Sequence, residues 1–446
     1  MTDAPPTDVP PTDEHRTDFI AIGVGPFNLG LAALTDPVDG LHGVFLESRD
    51  DFEWHPGMVL DDATLQVPFL ADVVTMADPT SRFSFLAFLK DVGRLYPFYI
   101  RESFYPLRAE FVEYGRWVAA QLPQVHFGRH VESVEHDGEQ YVVRARVGGD
   151  TQTYRAPRLV LGTGTQPHVP PAASDLIGSA ALALHSADYL HRKNELLARD
   201  SVTVIGSGQS AAEVYLDLVT AGGPEVTWLT RSPRFFPMEY TKLTLEMTSP
   251  EYTAYFQGLP EATREQLLRE QRGLYKGISG DLVDTIYDTL YRLRVQGRLR
   301  TRLLSATELD EATGDVDGID LRLRHTETGE SFATRTDAVV LATGYRSGVP
   351  QLLDGVRDRL RLDDRGRYLA TADYQVGVEP GEIWVQNGEE HTHGFIAPDL
   401  GMGAYRNSVI IASMLGREVY PVETRIAVQE FGVPSWVERP VREEAR

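Results

Sequence analysis

Residues 18–30, DFIAIGVGPFNLG, decide the fold. A short apolar run leads directly into glycines, which is the pattern of a buried parallel strand that enters a tight turn. The residues after the turn are predicted to begin a helix. A strand, a glycine turn and a helix in this order place backbone N–H groups and a positive helix terminus where they can hold a pyrophosphate.

The first glycine turn carries one departure from the usual G-x-G-x-x-G spacing. Gly23 fits the pattern, but Asn28 stands in the place of the third glycine. The next strand, VFLES, places Glu47 where a carboxylate accepts hydrogen bonds from a ribose diol. The sequence therefore predicts a dinucleotide site here. Its predicted contacts are Gly23, Gly25, Pro26, Phe27 and Glu47.

A second unit of the same type begins at Ser201, where SVTVIG leads into SGQSAAEVYLDLV with helical spacing. Its following strand, VTWLT, ends at Arg231, so the charge at the ribose position is reversed. An arginine there suits a 2′-phosphate and predicts NADPH, although Arg231 and Arg234 could instead be solvated loop charges. The predicted contacts are Gly206, Ser207, Gly208, Gln209, Ser210 and Arg231.

Composition narrows the chemistry of these two sites. The chain has 446 residues with 43 Lys+Arg and 65 Asp+Glu, and 43 − 65 = −22, a charge that repels nucleic acid and anionic membranes. It has no cysteine, which excludes disulfide reductases, thiol nucleophiles and cysteine-ligated metals. Two dinucleotide units imply two cofactors that exchange electrons, FAD in the first and NADPH in the second. A monooxygenase, an oxidase or a reductase remains, and no metal site is predicted.

The fold class is predicted as α/β, with two Rossmann-like dinucleotide-binding domains and a small helical insert. The N-terminus lacks the pattern of a signal peptide and no apolar run is long enough to cross a bilayer, so we expect a cytoplasmic protein. The predicted organisation is a disordered acidic tail at 1–17, an FAD-binding domain at 18–180 and 346–425, an NADPH-binding domain at 181–235 and 298–345, a helical substrate-binding region at 236–297, and a C-terminal tail at 426–446.

Six motifs in one order give the chain a closer resemblance. They are GVGPFNLG (23–30), FEWHPGM (52–58), LQVPFL (65–70), DPTS (78–81), GSGQSAAE (206–213) and ATGY (342–345). Together they resemble the flavin-dependent N-hydroxylating monooxygenases that hydroxylate lysine, ornithine or small diamines for hydroxamate siderophores. The resemblance implies that reduced flavin activates O2 and that one oxygen atom reaches a neutral amine. It also implies a homo-oligomer, either a dimer or a tetramer.

The same resemblance implies roles for individual residues. Trp54, His55, Gln66 and Arg108 are expected near the flavin, with Gln66 as the candidate catalytic residue. Leu400 and Met402 are expected to border the flavin again. Gln209, Ser210 and Arg231 are expected to contact NADPH.

Three positions bear on which amine is hydroxylated. Ornithine enzymes of this family hold the substrate carboxylate with a lysine and two asparagines, and the corresponding positions here are Ala71, Leu245 and Leu274. Burial of a carboxylate without such partners costs several kcal/mol, on the order of a lost ion pair. With Gln66, these residues predict a site for an aliphatic diamine, cadaverine rather than putrescine. Glu246 and Tyr275 are candidates to hold the far ammonium group.

Other functions stay open at this point. The nearest alternative is a lysine N6-hydroxylase, in which a Lys or Arg elsewhere, for example Lys242 or Lys276, would hold the carboxylate, and an ornithine N5-hydroxylase is a further alternative. A more distant alternative is an NADPH-dependent flavin oxidoreductase that hydroxylates nothing. The amounts of hydroxylated product and of peroxide distinguish these functions.

Overall fold

The structure is a computed structural model that describes residues 15–434 and 436–437. Its strands are β1 (His15–Arg16), β2 (Phe19–Ile22), β3 (Gly43–Leu46), β4 (Val125–His126), β5 (His130–His136), β6 (Tyr141–Val147), β7 (Asp150–Ala156), β8 (Leu159–Leu161), β9 (Gln166–Pro167), β10 (Leu182–His185), β11 (Ser201–Ile205), β12 (Glu225–Leu229), β13 (Thr301–Leu304), β14 (Thr307–Asp315), β15 (Gly318–His325), β16 (Ser331–Thr336), β17 (Ala338–Leu341), β18 (Tyr345–Arg346) and β19 (Ile383–Val385).

Helices follow the glycine turns, fill the insert and close the chain. They are α1 (Pro26–Thr35), α2 (Phe85–Asp91), α3 (Leu95–Ile100), α4 (Arg108–Ala119), α5 (Tyr189–Leu197), α6 (Gln209–Ala221), α7 (Lys242–Leu245), α8 (Pro250–Gln257), α9 (Glu261–Glu270), α10 (Gly280–Val295), α11 (Glu390–His393) and α12 (Gly403–Leu415). None of the described helices is both long and apolar enough to cross a membrane.

Two parallel five-stranded sheets carry the two glycine turns. The first has the order β19-β8-β2-β3-β4 and the second has the order β10-β17-β11-β12-β13. Both β2 and β11 are central strands with apolar neighbours on each side, which explains their uninterrupted apolar sequences. We call each sheet with its glycine turn and the following helix the first unit and the second unit. The predicted α/β class with paired dinucleotide-binding folds is confirmed.

Smaller antiparallel sheets and the helical insert complete the fold. Strands β5, β6 and β7 pair with one another antiparallel beside the first unit, and β14, β15 and β16 do so beside the second. Residues 236–297 contain α7, α8, α9 and α10, as their helical periodicity predicts. Helices α8 and α9 lie against the segment that leads into α12, whereas α10 contacts α6 of the second unit.

The predicted boundaries of the two tails need correction. The fold includes residues 15–17, because β1 pairs in parallel with residues 154–155 of β7. The rest of the predicted N-terminal tail, residues 1–14, lies outside the described residues. At the other end, residues 426–429 lie on the helical insert through backbone hydrogen bonds to Glu246 and Glu251. Residues 438–446 of the predicted C-terminal tail lie outside the described part.

Candidate active site

The first glycine turn is shaped for a close backbone approach and leaves a helix terminus open. Gly23 has φ 86°, and a Cβ there would lie 2.4 Å from the carbonyl oxygen of Gly162. Gly25 precedes α1 as its N-cap, and a Cβ there would meet nothing within 4 Å. No side chain caps this helix terminus, so its N–H groups can receive a pyrophosphate. Glu47 accepts a hydrogen bond of 2.8 Å from the N–H of Val24.

Asn28, the departure from the glycine spacing, has a structural role in the same turn. Its side-chain nitrogen donates to the carbonyl of Gly23 at 2.7 Å, and its oxygen accepts from Gln386 at 2.6 Å. The residue is 1% exposed. It thereby connects the turn to the far end of the sheet, beside Gly162, which has no room for a Cβ. The missing third glycine therefore does not disrupt the turn.

The second glycine turn repeats the same construction. A Cβ on Gly206 would lie 2.2 Å from the carbonyl oxygen of Ala342, so only glycine fits. Gly208 is the N-cap of α6, and no side chain caps this terminus, where Gln209 and Ser210 begin the helix. The carbonyl of Lys276 would lie 3.1 Å from a Cβ on Gly208, so the helical insert passes close to this turn. Ser207 lies between the two glycines.

Beyond the second turn, Arg231 lies near His168 and Arg346, which were not among the predicted site residues. Arg231 and Arg346 are exposed, and neither makes an ion pair within the described residues. Burial and then the charges of Arg346 and Arg231 lower the pKa of His168. The two arginines concentrate positive charge at one edge of a chain that is otherwise strongly acidic. An edge of this charge suits a 2′-phosphate.

Gln66 and Gln209, predicted at different cofactors, are in direct contact. The amide nitrogen of Gln66 donates to the amide oxygen of Gln209 at 3.0 Å, across 143 residues of sequence. The same oxygen of Gln209 accepts from the N–H of Ser279 in the insert at 2.8 Å. Tyr240, also of the insert, donates its hydroxyl to the carbonyl of Gln66 at 2.7 Å. The two units and the insert therefore meet at these two amides.

A buried ion pair crosses the same boundary. Arg108, at the start of α4, makes two hydrogen bonds of 2.8 Å to the carboxylate of Glu213 in α6. Their side chains are 12% and 6% exposed. Burial raises the pKa of Glu213, and the guanidinium of Arg108 opposes that shift. Glu213 was not among the predicted site residues, although it ends the GSGQSAAE motif.

His55 and Trp54 form an aromatic group on the side of the first unit. His55 has φ 51°, and its ring centre lies 5.2 Å from that of Trp54 and 5.3 Å from that of Tyr345. Trp54 in turn packs on Phe111 at 5.2 Å. Desolvation of the ring, with the charges of Arg108 and Arg49, lowers the pKa of His55 to about 4. The imidazole is therefore neutral near pH 7.

A small cavity of about 10 Å³ brings together four predicted residues from three segments. Pro26 and Phe27 come from the first turn, Ala71 from the segment after Gln66, and Leu400 from the segment before α12. Phe111 also lines it. Predicted flavin contacts and the predicted substrate position Ala71 are thus neighbours, on the apolar side of the first turn.

The other predicted substrate residues divide between packed and exposed positions. Leu274 packs on the buried apolar cluster that contains Met402, Tyr252 and Phe395. Leu245 is 50% exposed and lies outside that cluster. The structure therefore brings Leu274 and Met402 together but does not join Leu245 to them.

The two candidates for an ammonium partner already have other partners. Glu246 accepts hydrogen bonds from the N–H groups of Val428 and Gln429 at 3.1 and 3.0 Å. Tyr275 donates its hydroxyl to Glu390 at 2.5 Å. Lys276, a candidate carboxylate partner, lies 3.8 Å from the same Glu390. Lys242 lies on α7 and makes no ion pair within the part of the chain that the structure describes.

Comparisons with known proteins identify the family of the chain. The family model described as L-lysine 6-monooxygenase/L-ornithine 5-monooxygenase matches residues 15–347. A putrescine N-hydroxylase of Shewanella oneidensis is 45% identical over 421 residues, covering 93% of this chain and 84% of that protein.

Two solved structures extend the comparison. The FAD-bound structure of DfoA, the desferrioxamine biosynthetic pathway cadaverine monooxygenase of Erwinia amylovora, has a TM-score of 0.91 and 45% identity, covering 95% of this chain and all (100%) of that one. The ornithine N-hydroxylase KtzI of Kutzneria sp. 744, with reduced FAD, NADP+ and L-ornithine, has a TM-score of 0.82 at 27% identity and covers 90% and 99%.

Proposed function

The chain belongs to the L-lysine 6-monooxygenase/L-ornithine 5-monooxygenase family, and from this premise we propose that it hydroxylates one terminal amine of an aliphatic diamine. The proposed cofactors are FAD at the first glycine turn and NADPH at the second, with O2 as co-substrate. Cadaverine is the proposed substrate and putrescine the second candidate. The product would enter hydroxamate siderophore biosynthesis in the cytoplasm.

The observation that carries this proposal is the contact between Gln66 and Gln209 at 3.0 Å. It joins the segment between β3 and α2 to Gln209, the first residue of α6, which follows the second glycine turn. If the two glycine turns held the pyrophosphates of FAD and NADPH, the residues at this boundary would lie between the two nucleotides, which would exchange electrons there. The bound nucleotides would supply hydride transfer and the activation of O2.

Each turn has residues that suit its nucleotide. At the first, the open terminus of α1 would hold the pyrophosphate and the carboxylate of Glu47 the ribose. At the second, the terminus of α6 would hold the pyrophosphate, and Arg231 with Arg346 would hold a 2′-phosphate. The opposite charges at the two ribose positions support the assignment of different nucleotides to the two turns.

The protein's own side chains would prepare the amine and keep water away from it. An alkylammonium with a pKa of about 10.4 has no lone pair to react with, so it must lose its proton. Phe27, Phe111 and Leu400 would give an amine bound beside them a partly apolar wall, which favours its neutral form. Gln66 offers amide groups that can orient the amine by hydrogen bonds.

The absence of a cation at Ala71 supports a diamine over an amino acid. Ala71 is 7% exposed and shares its cavity with apolar side chains, Asp72 and Asn407, none of which is a cation. Lys276, which would have to receive a carboxylate, is held near Glu390 instead. The names of the two 45% identical relatives are those of enzymes that act on putrescine and cadaverine.

The proposal is tested with FAD-loaded protein, NADPH and four amines in parallel: cadaverine, putrescine, lysine and ornithine. Hydroxylamine and peroxide are both quantified against NADPH consumed. We expect hydroxylamine from the diamines, more from cadaverine than from putrescine. Product from lysine or ornithine alone would contradict the diamine proposal, and peroxide alone would identify a flavin oxidoreductase that hydroxylates nothing.

The expected dimer or tetramer stays a prediction. Sedimentation velocity of the FAD-loaded protein, at concentrations that bracket those of the activity assay, measures it directly. A monomer throughout this range would contradict the expectation.

A further inference from the structure

Asp399 is an acidic residue next to the cavity that the predictions did not include. It precedes the short helical turn Leu400–Met402, and its carboxylate accepts a hydrogen bond of 2.7 Å from the N–H of Gly401. The residue is partly buried, and this burial raises its pKa. Its neighbour Leu400 lines the cavity together with Ala71.

Two contacts locate the carboxylate relative to the site. A Cβ on Gly401 would lie 3.1 Å from the Oδ1 atom of Asp399 and 3.9 Å from the Cβ of Ala71, so the two side chains flank the same glycine. On the insert, burial and then the charge of Asp399 raise the pKa of Tyr240. Tyr240 is the residue whose hydroxyl binds the carbonyl of Gln66. Asp399 therefore lies beside the space between Ala71, Tyr240 and Gln66.

The charge of Asp399 has no cation of its own. No Lys, Arg or His of the described residues lies within ion-pair distance of it. Arg406 acts on it from farther away, and that guanidinium is paired with the fully buried Glu389 at 3.1 Å. A partly buried carboxylate with a single backbone donor is expected to gain from a cationic ligand.

Four other acidic residues near the cavity or on the insert already have partners. Asp72 accepts from three backbone N–H groups, Glu246 from two, and Glu251 from two, while Glu390 accepts from Tyr275 and lies near Lys276. Glu239 makes no ion pair in the described chain, but it is exposed and points toward Gly273. Asp72 also lies beside Ala71 without a cation, but four donors occupy its two oxygens, whereas Asp399 has a single donor and keeps the capacity to accept from a cation.

We propose that Asp399 binds the second, non-reacting ammonium group of the diamine, an inference that rests on the proposed function. The position of Ala71, where the family resemblance places a lysine in ornithine enzymes, carries a methyl group here, and an anion stands across Gly401 from it. An amino acid would bring its carboxylate toward that anion, whereas a diamine brings a cation. The same residue therefore attracts one substrate class and repels the other.

A series of five-carbon amines tests this with the unmodified protein. Cadaverine, pentylamine and 5-aminopentanoate end in a positive, a neutral and a negative group. The expected order of kcat/KM is cadaverine, then pentylamine, then 5-aminopentanoate, with about 10- to 100-fold between the first two, since a charged hydrogen bond is involved. Equal values for cadaverine and 5-aminopentanoate would overturn the proposal.

The variant Asp399→Asn keeps the oxygen that accepts from Gly401 and removes the charge. Its preference for cadaverine over pentylamine should fall to about 3-fold or less, mainly through KM for cadaverine, because the neutral amide lacks the charged contact. Glu239→Gln, an exposed acid of the insert, is the matched control and should keep the preference. FAD absorbance and melting temperature establish that both variants are folded.

The outcomes separate this inference from the proposed function. If the unmodified protein hydroxylates diamines but Asp399→Asn keeps the preference, or Glu239→Gln loses it equally, the inference is wrong and the proposed function stands. If the unmodified protein forms only peroxide with every amine, the proposed function itself fails. Dissociation constants for cadaverine, from flavin absorbance changes in the oxidised protein, provide a readout that does not depend on turnover.

Discussion

The two glycine turns solve one steric problem in the same way and differ in everything around it. A Cβ on Gly23 would lie 2.4 Å from a backbone carbonyl oxygen, and a Cβ on Gly206 would lie 2.2 Å from another, so neither turn has room for a Cβ. At the third position, however, the first turn has the hydrogen-bonded Asn28 and the second has the fully buried Ala211. At the ribose position one has an acid, Glu47, and the other an exposed arginine.

From this contrast we infer that the glycines fix the backbone path, while the residues around them select the nucleotide. The shared geometry holds a pyrophosphate, which every dinucleotide has. The ribose residue then distinguishes a free diol from a 2′-phosphate by charge. If that division is correct, steric changes should remove binding altogether, and charge changes should alter only which nucleotide binds.

The largest expected effects come from adding a methyl group to each turn. Gly23→Ala should abolish FAD binding and destabilise the fold, whereas Gly206→Ala should keep FAD but lose reduction by NADPH. Each added Cβ would meet backbone, which cannot move away cheaply, so a loss above about 3 kcal/mol is expected. FAD absorbance and anaerobic flavin reduction measure the two effects.

Gly40→Ala is the matched control for the steric argument. Gly40 has φ 81°, but a Cβ at this position would meet nothing within 4 Å. The variant should lose only about 1–2 kcal/mol of stability, from the left-handed backbone conformation, and keep both cofactors. Equal damage from all three variants would show that conformation, and not the close approach, makes the two turns sensitive.

The next largest effect concerns the pair that links the two units. Arg108→Leu leaves the buried carboxylate of Glu213 without its cation and should lower the free energy of unfolding by about 3–5 kcal/mol. The double variant with Glu213→Leu should recover most of this. Urea unfolding measures both, and a loss below about 1 kcal/mol in the single variant would mean that the pair does not link the units.

Lowering the pH should destabilise the protein through His393, a buried residue on the side of the first unit. His393, which is 0% exposed, stacks on Tyr374, and burial with the charges of Arg406 and His391 lowers its pKa from 6.5 to about 3. Below pH 6.5 the imidazole of His393 becomes protonated in the unfolded chain, whereas it stays neutral in the folded chain. The contribution of His393 to the free energy of unfolding is therefore complete above pH 6.5. It falls as the pH drops toward 3, and the loss is about 2 kcal/mol at pH 5.

Melting followed by FAD fluorescence between pH 7.5 and pH 5 measures this loss. His393→Gln should reduce the pH dependence by about the same amount, since the amide does not titrate. An unchanged slope in this variant would assign the acid sensitivity to other groups.

The smallest effect tests nucleotide choice. Arg231→Ala should raise KM for NADPH about tenfold, on the order of one exposed charged contact, and leave NADH almost unchanged. Arg234→Ala, which removes an exposed arginine beside Phe236, is the control and should change neither. Equal effects on both nucleotides would remove the contrast between the two turns.

The sequence predicted the strands and helices around the two glycine turns, because these elements depend on residues close together in the chain. The apolar runs before Gly23 and Gly206 predicted buried strands, and the spacing after them predicted helices, because strand and helix periods are set over a few residues. Asn28 stood out in the sequence as a departure, but its bond to Gln386, 358 residues away, could only be seen in the structure.

The remainder depends on contacts between distant segments. Glu246 was expected to meet an ammonium group, yet it holds the backbone of residues 428–429 across 182 residues of sequence. The local sequence around Glu213 and Asp399 does not predict their roles, since these roles depend on which distant segment packs beside each residue. The GSGQSAAE motif contained Glu213, and its acidic last residue was the available signal.

The most direct test of the account is the stoichiometry of the reaction that the two units would share. FAD-loaded protein is given NADPH and cadaverine in air, and hydroxylamine, peroxide and NADPH are measured in the same sample. The account predicts nearly one hydroxylamine for each NADPH consumed. Hydroxylamine absent, with peroxide equal to the NADPH consumed, would contradict it.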